Sequence, residues 1–262
     1  MNAPKTSRRR FLRRLGLIGG PALLLAGADA HWVEPHRLIV RRVRLTDGES
    51  AQRFAFFADL HYKGDKAYTQ KVVAAINAEH PDFVIFGGDL IEKEGPLKEA
   101  LELLSGIQAP LCGVPGNHDF FNRGLYQTYR AGFAATGGVW LMNEHRDLAG
   151  GKIRLIGLDC NRFAIRHLPV APQAKNIVLV HYPAWANLFP GQSFDLMLAG
   201  HSHGGQVRLP WIGPLILPTN VGRYDMGRYA TASGPLYVNP GIGWLHVDVR
   251  FNCPPEVTIF EI

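Results

Sequence analysis

Five short apolar runs in this chain each stop at a residue type that can bind a metal ion. They are FAFF before Asp59 and His61, FVIFGG before Asp89, LCGVPG before Asn117, IVLV before His181, and LMLAG before His201 and His203. Runs of this length, rich in aromatic and branched side chains and bounded by Gly, Pro or polar residues, read as buried strands. Open α/β sheets hold their ligands just outside the carboxyl ends of such strands. Seven candidate ligands in register with five strand ends therefore predict one two-metal site. A single GlyAsp or an isolated His would carry little weight; the weight comes from all five falling at the same place in the pattern.

The remainder of the chain alternates in the same way. A strand is predicted over residues 38–45. Helical periodicity follows over 69–79 with Val72, Val73 and Ile76 on one side, over 96–104 with Leu97, Leu101 and Leu104, and over 124–135. Beyond that, strands predominate: 153–158, the two ligand runs, and segments near Leu236, near His246 and over 257–262. An alternating front half and a strand-rich back half predict two sheets packed face to face with helices outside, an α/β sandwich. The 262 residues suffice for one domain with a substantial core, and no internal repeat divides them.

Charge separates the first thirty residues from the rest. The net charge is +6, but Lys5, Arg8, Arg9, Arg10, Arg13 and Arg14 against Asp29 place five of those charges before residue 31. The body is left nearly neutral, which argues against a surface for a nucleic-acid backbone. A basic start, the apolar stretch Leu15 to Ala28 and AlaAspAla at 28–30 describe an export signal. The alternative is an uncleaved inner-membrane anchor, short of the roughly 20 apolar residues that a full crossing takes. The folded domain is expected over 31–262. Cys112, Cys160 and Cys253 form no CxxC pair, so they define neither a disulfide framework nor a zinc knuckle.

Carboxylate, imidazole and amide donors without thiolates suit Mn, Fe or Zn rather than a structural zinc cluster. Gly87, Gly88, Gly116, Gly200, Gly204 and Gly205 beside the ligands allow the backbone to turn sharply or approach a bound anion. Taken together, Asp59-x-His61, GlyAsp89, GlyAsnHisAsp at 116–119, His181 and GlyHisSerHisGlyGlyGln at 200–206 resemble the full signature of the calcineurin-like metallophosphoesterases. A further likeness to the bacterial YkuE/YaeI-like phosphodiesterases rests on three features. These are the paired arginines at the start, GlyGlyGlnValArgLeuPro at 204–210, and ValAsnProGlyIleGly at 238–243 with ArgPheAsnCysProProGlu at 250–256.

The resemblance implies a four-layer αββα sandwich of two mixed sheets and two divalent metal ions. Asp59, His61, Asp89 and His203 would hold one ion; Asp89, Asn117, His181 and His201 would hold the other. Asp89 would bridge them through its two oxygens, and a bridging hydroxide would attack the phosphorus. His118 would protonate the leaving oxygen or stabilise its charge, with Asp119 orienting its ring. The paired arginines resemble a twin-arginine signal, which implies passage through that export machinery to the periplasm or cell envelope.

The expected substrate is a phosphodiester or pyrophosphate. Two apolar stretches after the ligands, 182–190 and 209–218, are candidates for a rim suited to a lipid-linked substrate or a membrane surface. Trp185, Phe189, Trp211 and Leu215 would face the metal cleft, with Trp244 beside them; the alternative is loops packed on their own core. Some members of the superfamily cleave UDP-2,3-diacylglucosamine, a lipid A precursor met in the cytosol, which fits an anchored chain and not an exported one. A phosphomonoesterase would need further cations, for which Arg162, Arg166, Arg208 and Arg223 are candidates. A non-catalytic member would be expected to lack His118 or a ligand, and none is missing.

Overall fold

The computed structural model describes residues 25–46, 51–92, 95–120, 123–161, 168–245 and 247–262. Residues 1–24 of the signal or anchor expected over 1–30 lie outside these, as do Arg162 and Arg166. Among the described residues no helix is long and apolar enough to cross a membrane.

Each apolar run forms a strand. In chain order the strands are β1 (Ile39–Arg44), β2 (Arg53–Phe57), β3 (Phe83–Phe86), β4 (Leu111–Gly113), β5 (Val139–Trp140), β6 (Glu144–Leu148) and β7 (Ile153–Gly157). They continue with β8 (Lys175–Leu179), β9 (Leu196–Ala199), β10 (Arg208–Leu209), β11 (Gly213–Pro214), β12 (Gly227–Thr231), β13 (Gly234–Val238) and β14 (Glu256–Glu261). One sheet has the order β1-β14-β2-β3-β4-β5 and the other β12-β13-β9-β8-β7-β6, with β10 and β11 forming a separate hairpin. β2 to β5 run parallel, as do β13, β9, β8 and β7. This is the two-sheet mixed sandwich that the alternation predicts.

Side-chain alternation along the strands builds the layers. Phe54, Phe56 and Ile85 point between the sheets, onto Leu155, Ile177, Leu179 and Leu198. Val84, Phe86 and Ile259 point outward under helices α1 (Lys66–Ala78), α2 (Leu97–Leu104) and α4 (Tyr126–Ala135), where Val72, Ile76, Leu104 and Phe133 meet them. Fully burying side chains of this size contributes about 1.5–3 kcal/mol each. Helix α1 starts three residues before its apolar periodicity does, because Asp65 caps it by accepting the Tyr68 N–H at 3.0 Å. On the outer face of the second sheet, Val178, Val180 and Val238 are covered by the short 3-10 turn Pro183–Asn187, with Ala186 and Phe189 packed inward.

The strand expected near His246 is absent among the described residues there. Instead the Gln206 amide holds this stretch, donating to the carbonyls of Val247 and Val249 and accepting the Leu245 N–H. Arg250 is completely buried, and its guanidinium donates to the carbonyls of Pro240, Gly241, Gly243 and Cys253. A side chain that carries its bonds to the backbone in this way replaces the ladder a strand would have made. All three cysteines are free; Cys112 and Cys253 are buried.

Candidate metal centre

The two sheets bring the carboxyl ends of β2, β3 and β4 together with those of β8 and β9, and all seven expected ligands lie at that junction. Asp59 and His61 follow β2, Asp89 follows β3, and His181, His201 and His203 follow β8 and β9. Asn117 opens α3 (Asn117–Phe120), a short helix where the sequence reads as a loop.

The ligands form two groups that share one atom. Asp59, His61 and His203 present ligand atoms that converge, with the two imidazole Nε2 atoms 3.2 Å apart. In the other group His181 Nε2 lies 3.2 Å from Asp89 Oδ2, 3.2 Å from His201 Nδ1 and 3.1 Å from Asn117 Oδ1. Asp89 Oδ2 is also 3.5 Å from His61 Nε2. A single oxygen therefore faces both groups. Asp89 Oδ1 accepts the His118 backbone N–H at 2.8 Å, so Oδ2 is the oxygen turned toward both groups.

Hydrogen bonds on the far side of each ring decide which nitrogen faces inward. The His181 Nδ1–H donates to the Gly87 carbonyl at 2.9 Å, and the His201 Nε2–H donates to the Thr219 carbonyl at 2.8 Å. A carbonyl only accepts, so the neutral rings turn lone pairs toward each other across 3.2 Å, where they cannot bond to one another. A cation between them resolves that contact, and the donor set fits a divalent metal. In the absence of a cation, protons take its place. Burial opposes charge on His181, but Asp89 and Asp59 raise its pKa to about 9. Burial, aided by the His181 charge, pushes His201 down to about 3, and burial raises Asp59 to about 7.

The backbone at the strand ends is held in an uncommon conformation. Asp59, His61, Asp89, His201 and His203 have φ of 55°, 44°, 60°, 67° and 49°. Left-handed conformations in residues other than glycine cost about 1–3 kcal/mol each and cluster at functional sites. Local hydrogen bonds offset that cost: the His201 N–H donates to both oxygens of Asp59 at 3.0 and 2.9 Å. Gly116 is required by proximity, since a Cβ there would collide with Asp89 Oδ1 and the Asp89 nitrogen.

Next to the ligands, His118 meets a partner that the sequence reading missed. Its Nδ1 lies 2.9 Å from Glu92 Oε1, while Glu92 Oε2 lies 3.0 Å from Nδ1 of ligand His61. The His118 and His61 rings meet edge to face at 4.8 Å. Burial lowers the His118 pKa, and the hydrogen bond from His61 heads the causes that lower Glu92. The available signal was the carboxylate three residues beyond Asp89 in GlyAspLeuIleGlu. Asp119 does not orient the His118 ring as expected. Its carboxylate accepts the backbone N–H groups of Asp89 (2.7 Å), Leu90 (3.1 Å) and Gly116 (3.0 Å) and the Tyr129 hydroxyl (2.7 Å). Asp119 thus braces the loop that carries Asp89.

The apolar rim divides in two. Phe189 is buried in the second sheet's outer layer and Trp185 is buried against Tyr182, whose ring meets that of His201, whereas Trp211 and Leu215 are exposed. Trp244 packs against His36 and Tyr68. Of the candidate cations, Arg208 pairs with Asp225 at 2.8 Å and Arg223 lies over the Tyr224 ring.

Known proteins resemble this chain in sequence and in fold. The model of the calcineurin-like phosphoesterase family matches residues 52–205. The metallophosphoesterase YkuE of Bacillus subtilis is 30% identical, with 98% of each chain covered. Phosphodiesterase YaeI of Escherichia coli is 30% identical over 98% of this chain and 99% of its own. Among solved structures, TT1561 of Thermus thermophilus superimposes with a TM-score of 0.51 at 12% identity, covering 73% of this chain and 90% of its own, a likeness of fold.

Proposed function

This chain belongs to the calcineurin-like phosphoesterases, metal-dependent hydrolases of phosphoric esters, and from that premise we propose that it hydrolyses phosphodiester or pyrophosphate bonds at a two-cation centre. The observation that carries the reading is Asp89 Oδ2, which faces both ligand groups at once. Asp59, His61, Asp89 and His203 would hold one cation, and Asp89, Asn117, His181 and His201 the other. Two divalent cations at such a site neutralise phosphate charge and make water a nucleophile near neutral pH.

The chain's own residues do the remaining work. Glu92 accepts the Nδ1–H of His118 and favours its imidazolium form, and it is that form whose Nε2–H gives a proton to the leaving oxygen, leaving the ring neutral. Asp119 and Gly116 keep the Asp89 loop against the α3 N-terminus. The choice of diester over monoester is supported by Arg208, which is engaged by Asp225 and the Gly204 carbonyl instead of facing a second phosphate charge. The likeness to the phosphodiesterase YaeI is in line with it.

The test is reconstitution. Metal-stripped protein is supplied with Mn, Zn, Fe or Mg and assayed on a diester, a monoester and a lipid-linked nucleotide pyrophosphate side by side. Saturation at two equivalents of metal with preference for the diester or pyrophosphate is expected. Full activity at one equivalent, or a preference for the monoester, overturns the proposal.

A further inference from the structure

Two contacts fix the ring of ligand His201. The Thr219 carbonyl accepts its Nε2–H at 2.8 Å, and the Tyr182 ring stands across it with 4.6 Å between centroids and 87° between planes. The hydrogen bond alone leaves the ring free to swing Nδ1 about the line from Cβ to Nε2; the crossed Tyr182 ring removes that freedom. Nδ1 is thereby kept aimed at His181 Nε2, 3.2 Å away. Tyr182 also meets the His181 ring at 5.3 Å, and Trp185, buried beside it, meets Tyr182 at 5.1 Å.

The two groups that hold His201 belong to one bonded unit. The turn Pro183–Asn187 begins directly after Tyr182. Its Ala184 N–H donates to the carbonyl of Asn220, next to Thr219, at 3.0 Å, and its Trp185 N–H donates to the Tyr182 carbonyl at 3.1 Å. Beyond the ring, the Tyr182 hydroxyl faces the thiol of Cys160, which follows β7. That thiol donates to the Pro115 carbonyl at 3.5 Å, two residues before ligand Asn117. Tyr182 therefore reaches His181 and His201 directly and the loop that carries Asn117 through one side chain. The imidazoles of the first site are supported elsewhere: Glu92 holds His61 at 3.0 Å, and the His61 and His203 rings pack on each other at 4.9 Å.

We propose that Tyr182 is a positioning residue for the second cation, its ring fixing the plane of His201 and its hydroxyl bracing the approach to Asn117, so that it sets the affinity of that site apart from the first. The step rests on the two-cation reading. Side chains that orient ligand rings from outside the coordination shell change metal affinity about 10–100-fold when they are lost. Without the Tyr182 ring, the first site should fill normally and the second only at higher metal concentration.

The test is calorimetric titration of the metal-stripped full chain with Mn, beside thermal melting. Tyr182→Leu should bind the first equivalent as the parent does and the second roughly 10–100-fold more weakly, with the parent's melting temperature before metal is added. Tyr182→Phe keeps the ring and loses the hydroxyl; its second equivalent should weaken roughly two- to tenfold, the scale of one neutral hydrogen bond. Turnover of a soluble diester that Tyr182→Leu loses at limiting Mn should return as Mn is raised. Equal weakening of both equivalents, or parental binding of both by Tyr182→Leu, overturns the proposal. Where Tyr182→Leu melts lower before metal is added, the Tyr182→Phe titration decides: both equivalents at parental strength, or both weakened alike, overturns it. A parent that saturates at one equivalent strikes the two-cation reading itself, and the role of Tyr182 falls with it.

Discussion

Glu92 and His118 form a pair with 2.9 Å between Oε1 and Nδ1, and the second oxygen of the same carboxylate reaches the metal-ligand ring of His61. One side chain thus orients both a ligand and the proposed proton donor. Replacing Glu92 with Gln keeps the shape but puts a neutral amide where the carboxylate accepts from both rings. Turnover should fall roughly 10–100-fold, the usual scale for partners that hold a ligand ring in place. Steady-state kinetics alongside metal content checks this; wild-type turnover in the variant would show that neither ring depends on Glu92.

His118 and Asp119 are neighbours with opposite duties, and their variants should separate. His118→Asn is expected to keep its metals and lose roughly 10²-fold or more in turnover. Asp119→Ala leaves three buried backbone N–H groups and the Tyr129 hydroxyl without their acceptor. Unsatisfied buried donors cost about 1–3 kcal/mol each. A lowered melting temperature and reduced metal content are expected for Asp119→Ala alone. The reverse pattern, with metal lost from His118→Asn, would make His118 a ligand.

Metal binding should release protons. In the metal-free site Asp59, raised to about 7, and His181, raised to about 9, carry protons near neutral pH that a cation displaces. Both groups lose their protons as pH rises, so affinity should increase from about pH 6 to about pH 9. Calorimetric titration with Mn or Zn in buffers of different ionisation heat measures the protons released. Affinity that is flat across this range would contradict the arrangement. Chelation should also lower the melting temperature, because the ions bind only the folded site.

Export is tested at Arg8 and Arg9, which lie outside the described residues. Changing both to Lys is expected to retain the protein in the cytoplasm, folded and active after purification. Fractionation checks it, and normal export of the variant would remove the twin-arginine assignment.

What the sequence alone determined is what depends on neighbours along the chain. An apolar run sets a strand, and the residue after it must stand at the strand's carboxyl end; this placed Asp59, His61, Asp89, Asn117, His181, His201 and His203 before any fold was known. The cap of α1 at Asp65 is equally local, although the apolar periodicity alone starts that helix three residues too late. Tertiary structure decided which of these residues meet, since His61 and His203 are 142 positions apart and share a contact only because two sheets abut. It also decided how side chains of one type divide their roles. Asp119 turns to the backbone of Asp89 while Glu92 takes His118, and Trp185 is buried while Trp211 is exposed. A carboxylate or an indole near a ligand in sequence has no direction of its own; its direction comes from packing and from the unsatisfied donors around it, which exist only after the sheets have closed.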